Sequence, residues 1–163
     1  MRMSKKSSPL LKDEQIFIHE IETLLATWGL APSSGRVYGY LLLHAVPMTL
    51  DEIAADLEMS RAGAWNAARV LERFGHVRRY GTPGSKLSRY AMSDNFAAPV
   101  VAQASLLENF EKLLRSYNAT GEVAVQLEER AQFLGLLRNA IRAVVEEWGE
   151  RRMAAPRRDK RIG

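Results

Sequence analysis

Apolar residues recur at helical spacing over the first part of the chain. Phe17, Ile21, Leu24, Leu25 and Trp28 form a stripe, with Glu14, Glu20 and Glu22 off it. The pattern predicts a helix from about Asp13 to Trp28, stopped by Gly29 and followed by Pro32. Ser33 or Ser34 can cap a second helix over about 34–46, rich in Val37, Tyr38, Tyr40, Leu41, Leu42 and Leu43 and ended by Pro47. In TLDEIAADLEMS, Thr49 and Glu52 have the spacing of a capping box, and Ile53, Ala54 and Leu57 make an apolar side. SRAGAWNAARVLERFG, residues 60–75, follows at once: a helix opened by Ser60 and closed by Gly75. Two short helices across a tight turn make a helix-turn-helix unit.

After Gly75 the period shortens. HVRRYG and KLSRYAM flank the turn GTPGS and predict a small hairpin. A helix-turn-helix followed by a basic hairpin has the order of a winged helix. From Asp94 the pattern is helical again. Asp94 can cap a helix to about Tyr117, and a last helix runs from Glu122 to Trp148 or beyond. There Leu127, Leu134, Ile141 and Trp148 repeat every seven residues, with Leu137 and Val144 three after the middle pair. This stripe calls for a partner helix, either in a second copy of the chain or in the chain's own first helix.

The expected fold is mainly α: a winged helix-turn-helix with a small β-hairpin wing plus N- and C-terminal dimerisation helices. Residues 1–12 and 151–163 read as basic flexible tails, 13–93 as the DNA-binding domain with its N-terminal helix, and 94–150 as the helical dimerisation region.

The helix after Ser60 has two unlike faces. At about 100° per residue, Ala64, Ala67, Ala68, Leu71 and Phe74 share one side, fit for close packing. Ala62, Trp65, Asn66, Arg69 and Arg73 fall on the other. Arginine can bond guanine and asparagine can bond adenine in a major groove, and a small Ala62 lets the helix end approach thymine methyls. Ser60 and Arg61 sit where backbone N–H groups favour a phosphate. Trp65 has three readings: a contact to the duplex, a bed for Arg69, or cover for the core rim. Arg78, Arg79, Lys86 and Arg89 on the hairpin are candidates for backbone or minor-groove contacts, and adjacent Arg78 and Arg79 cannot face the same way.

Charge sharpens this picture. The net charge is only +4, yet residues 1–12 carry +4, 60–92 carry +6 and 151–163 carry +5, leaving −11 elsewhere. Basic segments on an acidic scaffold suit a polyanion. The chain has no cysteine, which excludes disulfides and thiolate chemistry. His19, His44 and His76 lie in separate elements with no metal-binding spacing, and no nucleophile elbow or phosphate loop is present. No metal, cofactor or enzymatic activity is expected. The opening MRMSKKSSPL has no apolar core and no span of about 18 apolar residues exists, so a cytoplasmic protein is expected.

WGLAPSSGRVYGYLLL followed by TLDEIAADLEMSRAGAWNAARVLERFGHVRRYGTPGSK resembles the glycine-betaine-synthesis-repressor (GbsR) branch of the multiple-antibiotic-resistance regulators (MarR). The resemblance covers about residues 13–96. It rests on Trp28-Gly29, Gly35-Arg36, Gly39, Ser60-Arg61, Leu71-Glu72-Arg73, Gly75 and Pro83-Gly84. It implies a homodimeric winged-helix regulator, expected to be a repressor, that reads a pseudo-palindromic operator with the helix after Ser60 and with the wing. The wing of that family carries an acid before its basic residue. Here the stretch is Ser85-Lys86-Leu87-Ser88-Arg89, so the wing contact is divided between Lys86 and Arg89. The dimer interface is expected to include Phe17, Ile21, Leu127, Leu134, Leu137, Ile141, Val144 and Trp148. The resemblance further implies a small-molecule effector. Phe17, Trp28, Tyr38 and Tyr40 are candidates for its pocket, or plain core. The competing reading is a winged-helix module that binds protein or RNA without reading DNA.

Overall fold

A computed structural model describes residues 10–81 and 87–154. Six helices and three strands follow in the order α1 (Lys12–Ala26), α2 (Pro32–Leu42), β1 (Met48–Thr49), α3 (Leu50–Asp56), α4 (Arg61–Arg73), β2 (Val77–Gly81), β3 (Ser88–Met92), α5 (Ala98–Ser116) and α6 (Gly121–Ala154). They divide into two compact units, one up to Phe96 and one from Ala97. The first is a winged helix with its sheet in the order β1-β3-β2, both pairs antiparallel.

In the first unit α1 and α2 pack through glycine. A Cβ on Gly35 would stand 2.9 Å from the Glu22 Cα, and one on Gly39 would stand 3.2 Å from the Ile18 Cα. At Gly35 any side chain would force the two backbones apart, and at Gly39 one would crowd Ile18 and Ile21. The inward side of α1 is Ile18, Ile21 and Leu25, while Phe17, Leu24 and Trp28 of the stripe face outward. Both sides of α1 carry apolar residues, so spacing alone does not choose between them. α2 begins at Pro32 behind Ala31 instead of at a serine cap; Ser34 is buried inside the helix. It also stops at Leu42, well short of Pro47.

From α2, two side chains fix the helix-turn-helix. The Tyr40 hydroxyl donates to Asp56 Oδ2 at 2.7 Å, and Arg36 donates to the Leu57 carbonyl. Burial and the Asp56 bond hold the Tyr40 hydroxyl far above its usual pKa, so it remains a donor. The capping box is present: the Glu52 N–H donates to Thr49 Oγ1 at 3.2 Å, and the Thr49 N–H donates to Glu52 Oε2 at 2.7 Å. Glu58 turns the chain into α4 at φ 50°, a left-handed conformation for a non-glycine residue. Gly75, at φ 78°, closes α4 as expected. The core collects Val37, Tyr40, Leu41, Ile53, Leu71, Val77 and Tyr90.

β1 was not anticipated. Its Met48 and Thr49 lie opposite Tyr90 and Arg89 and extend the hairpin to three strands. The second unit is a helical hairpin. α5 starts behind Ala97 instead of Asp94. α6 packs on α5 with Ala131 and Gly135 buried, and Ala104 buried opposite. Arg138 pairs with Glu111, Arg142 with Glu108 at 2.5 Å, and Arg115 with Glu128 at 2.7 Å. No described helix is long and apolar enough to cross a membrane.

Candidate nucleic-acid interface

α4 is set by its small-residue side. Ala64, Ala67, Ala68 and Leu71 are each no more than 1% exposed. Alanines allow the helix to sit deep against α2 and α3, which fixes its rotation. Phe74, assigned to the same side, is exposed, because α4 ends at Arg73 and the backbone departs from the helix there.

The opposite side faces out. Arg61, Ala62, Trp65, Asn66, Arg69 and Arg73 are all exposed. The Arg69 guanidinium lies 4.9 Å from the centre of the Trp65 ring, a cation–π pair that restrains both side chains. Of the readings open to Trp65, the geometry thus favours the bed for Arg69. The Ser60 hydroxyl accepts from the Gly63 N–H at 3.0 Å and caps α4.

The sheet supplies further cations beside this face. Val77 is buried at the start of β2, so Arg79 shares its face and Arg78 takes the other. Arg79 reaches Glu72 on α4 at 4.0 Å, and Arg78 is exposed. Arg89, on β3, donates from Nη1 to the Pro47 carbonyl at 3.2 Å and stands 3.7 Å from Glu52 Oε2. Arg61 stands 3.2 Å from Asp51. An acid beside the basic strand residue is therefore present, supplied by α3. Sequence reasoning missed it because Glu52 is 37 positions away from Arg89 and its spacing explains it fully as a cap. Lys86 lies outside the described residues, as do most of both basic tails.

The remaining candidates fall on α1, α2 and α6. On α1, Phe17 is 37% and Trp28 81% exposed, while Ile21 is half-buried toward α2. On α6, Leu127, Leu134 and Ile141 are half-buried against α5, whereas Leu137, Val144 and Trp148 are exposed. The seven-residue stripe thus divides, because Ala131, Arg138 and Val145, four after its leading positions, turn toward α5 instead. Tyr38 meets His76 edge-on, with ring centres 5.5 Å apart, and burial raises the pKa of Tyr38 and lowers that of His76. Tyr40 is wholly buried and stacks on His44 at 4.0 Å; it belongs to the core, not to a pocket open to ligand. A cavity of about 370 Å³ between α1, α2 and α3 is lined by Glu22, Arg36, Asp56 and Glu58 and by none of the four candidate aromatics. No group of three or more metal-ligating side chains occurs among the described residues.

No family model matches the chain, and no curated protein matches it. Among solved structures, a crystal structure of a transcriptional regulator overlaps with a TM-score of 0.74 at 21% identity, over 85% of this chain and 99% of that one. This likeness establishes the fold. A Staphylococcus aureus MepR–DNA complex overlaps with a TM-score of 0.39 at 20% identity, over 81% of this chain and 92% of that one. The Thermotoga maritima transcriptional regulator Tm0710 gives 0.41 at 14% identity, over 89% and 94%. The last two overlaps are too loose to support an argument.

Proposed function

We propose that the chain is a sequence-specific DNA-binding transcriptional regulator of the MarR kind, close to its GbsR branch. The observation that carries this reading is the exposed side of α4, where Arg61, Asn66, Arg73 and the stacked Arg69–Trp65 pair stand clear of the core beside the basic strands. A helix with a buried alanine side and an exposed arginine side suits a major groove. The net charge of +6 over residues 60–92 supplies the sequence-independent attraction.

The active species in this reading is a homodimer. Phe17, Leu24 and Trp28 leave an apolar stripe on α1, and Phe110, Leu113, Phe133, Leu136, Leu137 and Val144 are exposed on the hairpin of α5 and α6. Such apolar areas mark association surfaces. Two copies of α4 then read half-sites about 34 Å apart in successive major grooves. Occupying a promoter in this way blocks polymerase, hence a repressor. A small molecule that prefers one spacing of the two reading helices would modulate affinity, and Phe17, Trp28 and Tyr38 remain the candidate lining.

The test is selection of bound duplexes from a random pool at stated salt. A shared pseudo-palindromic motif, bound at least about a thousandfold more tightly than random DNA, supports the reading. A pool that stays random rejects it in favour of a protein- or RNA-binding module.

A further inference from the structure

Two of the outward arginines stand against carboxylates. Arg61, at the start of α4, has its Nε 3.2 Å from Asp51 Oδ1. Arg89, on β3, has Nη1 3.7 Å from Glu52 Oε2 and donates from the same nitrogen to the Pro47 carbonyl. Asp51 and Glu52 are neighbours in the first turn of α3. One short helix therefore holds the leading arginine of α4 and an arginine of the sheet.

Neither pair is explained by stability. The side chains of Arg61 and Asp51 are 66% and 62% exposed, and those of Arg89 and Glu52 are 47% and 35% exposed. Ion pairs this exposed add little to folding. The Thr49 cap needs only a hydrogen-bond acceptor at Glu52, which a glutamine also supplies. The negative charge at both positions adds only the modest attraction of first-turn acids to the α3 dipole, and it stands on the surface where a polyanion would dock.

Resting on the DNA-binding reading above, we infer that Asp51 and Glu52 are positioning residues that trade general affinity for discrimination between duplexes. Phosphate competes with each carboxylate for its arginine, and each carboxylate repels a nearby phosphate. For a random duplex both effects only weaken binding, because affinity there comes from charge alone. For the preferred duplex the same carboxylates hold each guanidinium at a fixed angle, and that pre-organisation offsets the repulsion. Discrimination is the difference between the two affinities.

The experiment measures Kd for the selected duplex and for a random duplex of equal length, with Asp51→Asn, Glu52→Gln and the double variant, across a salt series. The double variant is expected to bind random DNA about three- to tenfold more tightly at low salt. Its affinity for the selected duplex should change by less than about twofold, because relief of repulsion and lost pre-organisation oppose each other. The gain from Glu52→Gln should vanish in an Arg89→Ala background, and that from Asp51→Asn in Arg61→Ala. Equal gains on both duplexes, unchanged random binding, or gains that persist without the arginines would overturn the inference. Unchanged circular dichroism and Tm separate these effects from misfolding, and Asp51→Asn, at an exposed position outside the cap, repeats the test without touching Thr49. A wild-type protein that prefers no duplex rejects the functional reading itself, which is a different failure.

Discussion

The two units of the chain solve the burial problem differently. In the first, Val37, Tyr40, Leu41, Ile53, Leu71, Val77 and Tyr90 are all within 2% of full burial, drawn from three helices and two strands. In the second, two helices of 19 and 34 residues bury only Ala104, Ala131 and Gly135, while Leu106, Leu113, Phe133, Leu136 and Val144 are each more than 60% exposed. Two helices have no interior of their own; a third and fourth are needed to enclose one. The first unit is thus specified by its own core. The second joins its helices through half-buried Leu127, Leu134 and Ile141 and the pairs Arg138–Glu111, Arg142–Glu108 and Arg115–Glu128, and its large apolar residues stay exposed in the single chain.

The contrast can be broken most severely in the core. Leu71→Ala removes a wholly buried side chain from the back of α4 and should cost about 2–5 kcal/mol, read by denaturant titration. An effect under about 1 kcal/mol would mean that α4 is loosely held. On the second unit, Phe133→Glu with Leu137→Glu should leave the secondary structure intact and weaken self-association by about 3 kcal/mol or more, read by sedimentation. The wild-type Tm should also rise with protein concentration. A concentration-independent Tm would leave the outer face of the hairpin unexplained. Thr49→Ala removes the α3 cap and should cost about 1 kcal/mol.

The smallest effect is expected from acid. The Glu108 pKa is lowered by its bonds from Lys112 and Arg142, and that of Glu128 by its bonds from Gln132 and Arg115. A depressed carboxylate stabilises the fold above its unfolded pKa. That contribution is lost as pH falls out of the usual carboxylate range and through the lowered folded value. The hairpin should loosen over that range in low salt, followed by helical signal across a pH series; because the pairs are exposed, high salt should erase the effect.

Much of the first unit was legible because its signals are local. Thr49 and Glu52 cap α3, Gly75 closes α4, and the alanines of α4 lie at a spacing that fixes its inward side. What escaped depends on chain-distant neighbours. Ile18 faces inward and Phe17 outward because Gly35 and Gly39 admit α1 on one side only. β1 is two residues long and exists through its pairing with β3. The division of the α6 stripe follows from α5, where Glu111 meets the space left by Gly135 and takes Arg138 as its partner. The Glu52–Arg89 pair had no signal in the order of residues at all.

The account stands on the outward side of α4. The direct measurement is an anisotropy titration of the selected duplex, and of its single-base variants, with wild type and Arg69→Ala. The account predicts a loss of about 1–3 kcal/mol and relaxed preference at one base position. Arg69→Ala binding every duplex as wild type does would contradict it.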